Sequence, residues 1–293
     1  MINIIFCVTP NYEKKKKLIN TIYKKIDLID QLIMAYYSIK KNWKNLDYDI
    51  SLFYNKDMPY NEEDTKLLES LEINLIPCSP DHPRIPYMCR GAGLKMDLPK
   101  KGSHRLIMDC DVLALNEPTF NLEMDWQAMF AGNALIPNKD IEYINKKYNY
   151  NLDLSNFKRN DLFKSYLLNP NKYDNFFPHF NAGAFLIKEE LCKKFVSLYE
   201  DANSLTFDNN ITSNHIAIQY ARSFALIKLS KKWQPFQPGF NYLGKSFDIH
   251  IFGKENIILF HYCGTNGEEN VFKHFKEYLI NRHNLKKGMI NCE

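Results

Sequence analysis

The sequence predicts an α/β fold with a Rossmann-like, mostly parallel central sheet flanked by helices. Three observations predict it. Short apolar runs alternate along the first half of the chain with segments in which apolar residues recur at helical spacing. Polar residues directly follow the first and fourth of these runs, where ligands gather beyond the carboxyl ends of parallel strands. The length of 293 residues and an apolar share of 45% suffice for a large core.

The elements of the first half follow from these periodicities. Strands are predicted over 2–8, 49–54, 73–76 and 105–108, and helices over 18–43, 61–71 and 91–97. Asn61 is of the residue type that caps a helix. Pro77 is expected to stop the third strand, because proline cannot donate a hydrogen bond to a neighbouring strand.

The second half is less regular. A strand is predicted over 129–136, helices over 189–199, 211–222 and 268–280, and a late strand over 257–260 that ends at His261. Polar helical stretches are expected up to about residue 168, before the segment FFPHFNAGAFLIK at 176–188. Because no repeat, low-complexity tract or linker interrupts the chain, we predict a single domain over 1–293.

Composition excludes several classes of function. The net charge is only +4 with acids and bases intermixed, which argues against a nucleic-acid partner. Seven scattered cysteines form no C-x-x-C pair, so they predict reduced thiols and a cytoplasmic location rather than a zinc site or disulfide framework. The apolar N-terminus is too short for a signal peptide, and no apolar stretch is long enough to span a membrane.

An Asp-x-Asp pattern occurs twice, in two different contexts. Asp47 precedes and Asp49 begins their predicted strand, at the amino edge of the sheet where no ligand site is expected, and the pair is interpreted as a polar turn. Asp109 and Asp111 follow a strand and lie between two apolar runs, where buried carboxylates need their charge compensated. A bound divalent cation is one source of the compensating positive charge. Pairing with Lys or Arg, or capping of a turn, is the alternative.

The residue types at this position favour Mn²⁺ or Mg²⁺. Carboxylate oxygens bind both ions, which also bridge pyrophosphate oxygens. His261, at the end of the late strand, is a third possible ligand, although a lone histidine at a strand end is commonly structural. An imidazole nitrogen suits Mn²⁺ better than Mg²⁺, so a site of two Asp and one His favours manganese.

Three motifs together resemble those of the GT-A glycosyltransferases, particularly the family that contains glycogenin and the bacterial lipooligosaccharide galactosyltransferases. They are RLIMDCDVLAL at 105–115, FNAGAFLIK at 180–188 and HYCGT at 261–265. Their order and separation are more specific than any one of them. The resemblance extends over most of the chain from Ile2 to His261, and between the motifs it is architectural.

The resemblance implies a GT-A fold and a metal-dependent hexosyltransferase. Such an enzyme moves a sugar from a nucleoside-diphosphate sugar, here with UDP favoured, to a hydroxyl group of a saccharide or glycoconjugate acceptor. It implies retention of anomeric configuration, and a positioned carboxylate base would be needed only if the enzyme inverted. Residues 1–115 would form the half that binds the nucleotide sugar, and residues 116–293 the acceptor-side half with the late histidine.

The resemblance also assigns roles to residues. The Mn²⁺ ligands are Asp109, Asp111 and His261. Asn181 lies near the transferred sugar and joins the acid pair as a catalytic candidate, although a turn or strand entry also accounts for an Asn-Ala-Gly sequence. The other donor-binding candidates are Thr9, Pro10, Asn11, Arg90, Lys95, Cys110, Ala182, Gly183 and Gly264. For Arg90 and Lys95, a plain surface charge is the alternative.

The sequence departs from the family pattern in its late motif. The family usually continues from the glycine to Lys-Pro-Trp, whereas this chain has CGTNGEEN, so phosphate binding would be shared with Lys245 or Lys254. A GT-A protein that binds nucleotide or carbohydrate without turnover is therefore one alternative. A sugar-1-phosphate nucleotidyltransferase is another alternative. In that class of enzyme the loop after the first strand is glycine-rich, whereas the corresponding loop of this chain, TPNYEKKKK, contains no glycine.

Overall fold

The computed structural model describes residues 1–9, 28–81, 89–137, 176–208, 214–230, 232–237, 239–243, 254–262 and 276–279. The chain divides into two compact units, one formed by 1–120 with 239–293 and the other by 121–238.

The first unit contains the parallel sheet that the sequence predicts. Its four strands are β1 (Ile2–Cys7), β2 (Tyr48–Asn55), β3 (Asn74–Cys78) and β4 (His104–Met108), in the order β3-β2-β1-β4 and all parallel. In the connections between them, the described residues form the helices α1 (Leu28–Asn42), α2 (Glu62–Ser70) and α3 (Arg90–Leu94). All residues of β4 are buried, as in a strand covered on both faces.

One detail of this unit confirms a residue-level prediction, and another prediction falls partly outside the described residues. Asn61 is the N-cap of α2, and its side-chain oxygen accepts a hydrogen bond from the backbone nitrogen of Asp64 at 2.8 Å. The part of the long first helix that falls within the described residues begins at Leu28, and its predicted start at residue 18 lies outside them.

The prediction that Pro77 stops the third strand is wrong. β3 continues through Pro77 to Cys78, and Pro77 pairs in register with Tyr54. The reason is the position of the strand in the sheet. β3 is an edge strand, so a residue without an N–H group can point its nitrogen side away from its one partner without breaking the ladder.

A second, smaller sheet in the first unit joins distant parts of the chain. It contains β5 (Val112–Ala114), β9 (Tyr242–Leu243) and β10 (Leu259–His261), with β10 in the middle, antiparallel to β5 and parallel to β9. The predicted late strand is thereby confirmed, and it ends at His261 as expected. A short 3-10 helix (Lys254–Asn256) precedes it, and helix α6 (Lys276–Leu279) lies within the predicted closing helix.

An apolar core holds this small sheet against α1 and α6. Its members are the buried side chains of Met34, Leu113, Tyr242, Ile257, Phe260, Tyr262 and Tyr278. Ser38 and Asn42 of α1 fix β5 further. The Ser38 hydroxyl accepts a hydrogen bond from the Ala114 nitrogen at 2.8 Å, and the Asn42 amide donates to the Ala114 oxygen at 2.7 Å.

In the second unit, the described residues form three strands and two long helices. They are β6 (Trp126–Pro137), β7 (Phe176–Lys188), a 3-10 turn (Glu189–Leu191), α4 (Cys192–Asp208), α5 (Asn214–Leu229) and β8 (Trp233–Pro235). β6 is antiparallel to β7 and parallel to β8, and its pairing with β7 shifts register on both sides of Phe130. Within the described residues, no helix is both long and apolar enough to cross a bilayer.

Aromatic rings form part of the core of the second unit. The rings of Trp126 and Trp233 stack with their centroids 4.6 Å apart, and Phe180 packs edge-on against Trp126 at 5.1 Å. Phe180 is fully buried, so its ring belongs to this core.

Candidate metal centre

The acid pair lies directly after strand β4 of the first unit. β4 ends at Met108, and Asp109, Cys110 and Asp111 turn the chain into β5. The side chain of Asp109 is 17% exposed and that of Asp111 is 25% exposed, whereas Cys110 is buried. Both carboxylates are thus partly accessible at the carboxyl end of a parallel sheet, where ligands bind in open α/β folds.

The structure brings His261 to the acid pair. Its Nε2 atom lies 3.2 Å from a carboxylate oxygen of Asp111 and 3.8 Å from one of Asp109. β10 carries His261 alongside β5, where it pairs in register with Val112. The backbone continues this contact, because the nitrogen of Tyr262, the residue after His261, donates to the carbonyl oxygen of Asp111.

These three residues fit a divalent cation. One ligand atom from each of Asp109, Asp111 and His261 can be chosen so that all three lie within 4.8 Å of one another. Two carboxylates and one imidazole are the donor types that Mn²⁺ accepts, and the set leaves further coordination positions for oxygens of a ligand.

Arg90 contacts the same acid pair. Its Nη2 atom forms an ion pair with Oδ1 of Asp109, and its side chain is only 13% exposed. Arg90 begins α3, which follows β3 in the chain. An Arg partner and a metal ion are the two possible compensations for the charge of the acids, and Arg90 provides the first of them for one carboxylate. Lys95, the other basic candidate, lies one residue beyond α3 and is exposed.

The charges around Asp111 favour its ionised form. Burial acts against the charge, but His261 in its protonated form and the guanidinium group of Arg90 more than offset it and hold the pKa of Asp111 below its usual value. Asp111 is therefore a carboxylate at neutral pH, as a metal ligand must be.

Helix α1 fixes the turn that carries the two acids. The Cys110 thiol donates to the side-chain oxygen of Gln31 at 3.3 Å, and Gln31 is itself buried. Gln31 is seven residues before Ser38, which bonds β5, so the two lie on the same face of the helix. Cys110 is a donor-binding candidate by the family resemblance, and in the structure its side chain contacts α1.

His261 has a second polar neighbour on the opposite side of its ring. Nδ1 lies 3.0 Å from the side-chain oxygen of Asn241, which is buried. Sequence reasoning missed both Gln31 and Asn241. The Pro-Gly at 238–239 indicates a turn near Asn241, but nothing in the local sequence connects that turn to a histidine twenty residues later.

The remaining candidates of the first unit are described only in part. Thr9 is buried at the end of β1, where its hydroxyl accepts a hydrogen bond from the backbone nitrogen of Asn55 at 3.3 Å and lies 4.0 Å from the thiol of Cys89. Pro10, Asn11 and Gly264 lie outside the described residues, as does Lys245.

Asn181 and Gly183 lie within strand β7 of the second unit. The Asn181 side-chain oxygen accepts a hydrogen bond from the backbone nitrogen of Gly183 at 2.6 Å, and both residues are buried. This local turn lies where the pairing of β6 and β7 is irregular. It agrees with the strand-and-turn interpretation of the segment and leaves the proposed role beside the sugar as a prediction. Ala182 is part of the same strand.

A search of solved structures finds a match over nearly the whole chain. The galactosyltransferase LgtC, solved with donor and acceptor sugar analogues, matches with a TM-score of 0.52, and the match spans 95% of each chain at 12% identity. The chain has the GT-A glycosyltransferase fold. This confirms the predicted GT-A fold class, with its parallel sheet between helices.

Other matches to the GT-A fold are weaker. The glycosyltransferase GlyE from Streptococcus pneumoniae TIGR4 matches with a TM-score of 0.47 at 14% identity, over 99% of this chain and 66% of its own. The bifunctional glycosyltransferase WbbM matches with a TM-score of 0.48 at 11% identity, over 97% of this chain and 51% of its own. No family model matches the sequence, and no curated protein sequence matches it.

Proposed function

We propose that this protein is a metal-dependent hexosyltransferase that moves a sugar from a nucleoside-diphosphate sugar to a hydroxyl acceptor. One observation carries the proposal. Ligand atoms of Asp109, Asp111 and His261 converge within 4.8 Å of one another beyond the carboxyl end of strand β4 in a GT-A fold. A fold alone does not define an activity, but a fold with a matching site is specific enough to test.

The three residues would hold Mn²⁺, with Mg²⁺ as the alternative. The bound ion would supply positive charge against the oxygens of the departing diphosphate, where negative charge grows in the transition state. The chain itself provides the fixed geometry. β4 and β5 hold the two acids, β10 holds the histidine, and Arg90 balances the charge of Asp109.

The finer assignments rest on the family resemblance. They are UDP as the nucleotide, retention of anomeric configuration, a saccharide or glycoconjugate acceptor, a place for Asn181 beside the transferred sugar, and nucleotide contacts in the loop from Thr9 to Asn11. A cytoplasmic location rests on the absence of paired cysteines in the sequence, and the five cysteines that lie in the described residues carry free thiols.

The first experiment measures donor turnover. Hydrolysis of UDP-, GDP- and CDP-sugars is followed with Mn²⁺, with Mg²⁺ and with a chelator, for the wild type and for Asp111→Asn. We expect turnover with at least one donor, its loss on chelation, and a decrease of about 100-fold or more in Asp111→Asn. Asp47→Asn is the matched control, because Asp47 begins the other Asp-x-Asp pattern and pairs with the N-terminal amine.

The alternatives give different results in the same assay. A protein that binds nucleotide without turnover would be stabilised by a nucleoside diphosphate in a thermal-shift screen, yet would release no sugar after long incubation. A nucleotidyltransferase would release pyrophosphate from a nucleoside triphosphate and a sugar 1-phosphate. Metal-independent turnover, or equal turnover in Asp111→Asn, would contradict the proposed role of the acid pair.

A further inference from the structure

We propose that Asn241 is a positioning residue for the metal centre. Its side-chain oxygen keeps a hydrogen on Nδ1 of His261 and thereby leaves Nε2, the ring nitrogen that faces Asp109 and Asp111, to bind the cation. The inference rests on the metal site of the proposed function, and it concerns how one ligand of that site is prepared for binding.

The contact between the two side chains defines the donor and the acceptor. Asn241 Oδ1 lies 3.0 Å from His261 Nδ1, a normal hydrogen-bond distance. An amide oxygen has no hydrogen to give, so the bond requires that Nδ1 carries the hydrogen. On the other side of the same ring, Nε2 lies 3.2 Å from Asp111 and 3.8 Å from Asp109.

The tautomer decides whether the histidine can be a ligand. A neutral imidazole carries one hydrogen, and only the nitrogen without it has a lone pair for a metal ion. If the hydrogen were on Nε2, the ring would donate to a carboxylate and could not bind a cation held by those carboxylates. Histidines that bind metals commonly donate their other N–H to a fixed acceptor for this reason.

The backbone places Asn241 beside the ring. Gly239, two residues earlier, has φ +84°, and its carbonyl oxygen accepts hydrogen bonds from Ile258 at 3.0 Å and Leu259 at 3.2 Å. Immediately after Asn241, β9 pairs with β10, so that Leu243 is opposite His261. The turn that carries the acceptor is therefore bound on both sides to the strand that carries the ligand.

The conformation of Asn241 limits which residues can replace it. Its φ of +59° lies in the left-handed region, which asparagine, aspartate and glycine adopt most readily. Asn241 is 3% exposed and His261 is 5% exposed, so their hydrogen bond lies in a low-dielectric environment that strengthens it. A side chain of another type would strain the backbone as well as remove the acceptor.

Two substitutions at Asn241 distinguish loss of the hydrogen-bond acceptor from strain in the backbone. Asn241→Gly keeps a residue that tolerates the positive φ but removes the oxygen, whereas Asn241→Asp keeps both the backbone tolerance and an oxygen acceptor. Asn3→Gly is the control for loss of a buried amide in the same unit. Asn3 is fully buried and bonds Lys100 and Gly102, at the opposite end of β1 from the site.

The test measures the tautomer and the metal affinity separately. Nitrogen-15 NMR of the metal-free protein in alkaline buffer locates the ring hydrogen of His261, and calorimetry gives the dissociation constant for Mn²⁺ alone. We expect Nδ1–H in the wild type and in Asn241→Asp, and Nε2–H in Asn241→Gly. Mn²⁺ affinity should fall about 10- to 100-fold in Asn241→Gly and stay within about threefold of the wild type in Asn241→Asp. Asn3→Gly should lower the melting temperature without changing the affinity for Mn²⁺.

Three results would overturn the inference. They are a hydrogen on Nε2 in the wild type, wild-type Mn²⁺ affinity in Asn241→Gly, and equal losses of affinity in Asn241→Asp and Asn241→Gly. Failure of the proposed function looks different, because a protein that shows Nδ1–H and the expected order of Mn²⁺ affinities but transfers no sugar would lose its proposed activity and keep this role for Asn241.

Discussion

The backbone nitrogen of Tyr262 lies 3.0 Å from the carbonyl oxygen of Asp111. This hydrogen bond extends the ladder between β10 and β5 and joins the residue after the histidine to the second acid of the pair. The two parts of the candidate site are thus held together by the protein backbone, so a cation would bind residues that are already close in space. Predefined geometry of this kind reduces the cost of ordering a metal site.

Arg90→Ala is expected to strengthen binding of a divalent cation in the absence of nucleotide. The guanidinium group of Arg90 pairs with Asp109, so it repels a cation that uses the same carboxylate. Removing one positive charge a few ångströms from the ion should tighten Mn²⁺ binding by about tenfold. Calorimetric titration measures this change. Lys66→Ala, which removes an exposed basic partner of Glu62 in α2, should leave the affinity unchanged. Weaker binding by Arg90→Ala would show that Arg90 orients Asp109 rather than competing for it.

Asp125→Ala is expected to destabilise the second unit in a pH-dependent way. Asp125 accepts hydrogen bonds from Ser230 at 2.5 Å and from Lys188 at 2.9 Å. Burial acts against its charge, but these two hydrogen bonds and the charges of Lys188 and Lys232 hold the pKa of Asp125 below its usual value. Loss of the carboxylate should lower the free energy of unfolding at neutral pH by about 1–3 kcal/mol.

The sign of this pH dependence follows from the lowered pKa. The folded state binds the Asp125 proton less readily than the unfolded state, so the carboxylate stabilises the fold above its unfolded pKa. This contribution is lost as the pH falls through the lower, folded-state pKa. Denaturant unfolding at several pH values should therefore show the wild type and Asp125→Ala converging in acid. Glu123→Ala, an exposed neighbour, should follow the wild type throughout. If the free energies of unfolding of the wild type and Asp125→Ala differed by the same amount at every pH, the lowered pKa of Asp125 would be contradicted.

Gly239→Ala is expected to reduce stability strongly. Gly239 has φ +84°, and a Cβ atom at this position would overlap the backbone oxygen of Asn256. Backbone strain and overlap together should cost about 2–4 kcal/mol in the free energy of unfolding. The reciprocal substitution is Glu72→Gly, at an exposed residue with φ +57°, which should change stability by less than about 1 kcal/mol. A Gly239→Ala protein as stable as the wild type would contradict the close approach of Gly239 to the backbone of Asn256.

The predictions from sequence succeeded where local patterns decide the structure. The strands β1, β2 and β4 could be predicted because each contains an apolar run that is buried regardless of which strands are its neighbours. Pro77 was misjudged because its effect depends on whether its strand is at the edge of the sheet, and strand order is not a local property.

In the candidate site, too, local sequence patterns identify some residues, whereas other contacts depend on the tertiary structure. Asp109 and Asp111 were recognisable from their position after an apolar strand, and His261 from its position at the end of another. The ion pair with Arg90 and the hydrogen bond from His261 to Asn241 depend on tertiary placement of separate segments, so neither could be derived from the sequence. The order in which β5, β10 and β9 pair is likewise long-range information.

The central claim is that Asp109, Asp111 and His261 bind one divalent cation. Anomalous diffraction at the manganese edge, from crystals grown with Mn²⁺ and a nucleoside diphosphate, tests it most directly. The account predicts a single strong peak within about 2.5 Å of one atom from each of the three side chains, and its loss in Asp111→Asn. A peak elsewhere, or none at these residues in a crystal that contains the bound nucleotide, would contradict it.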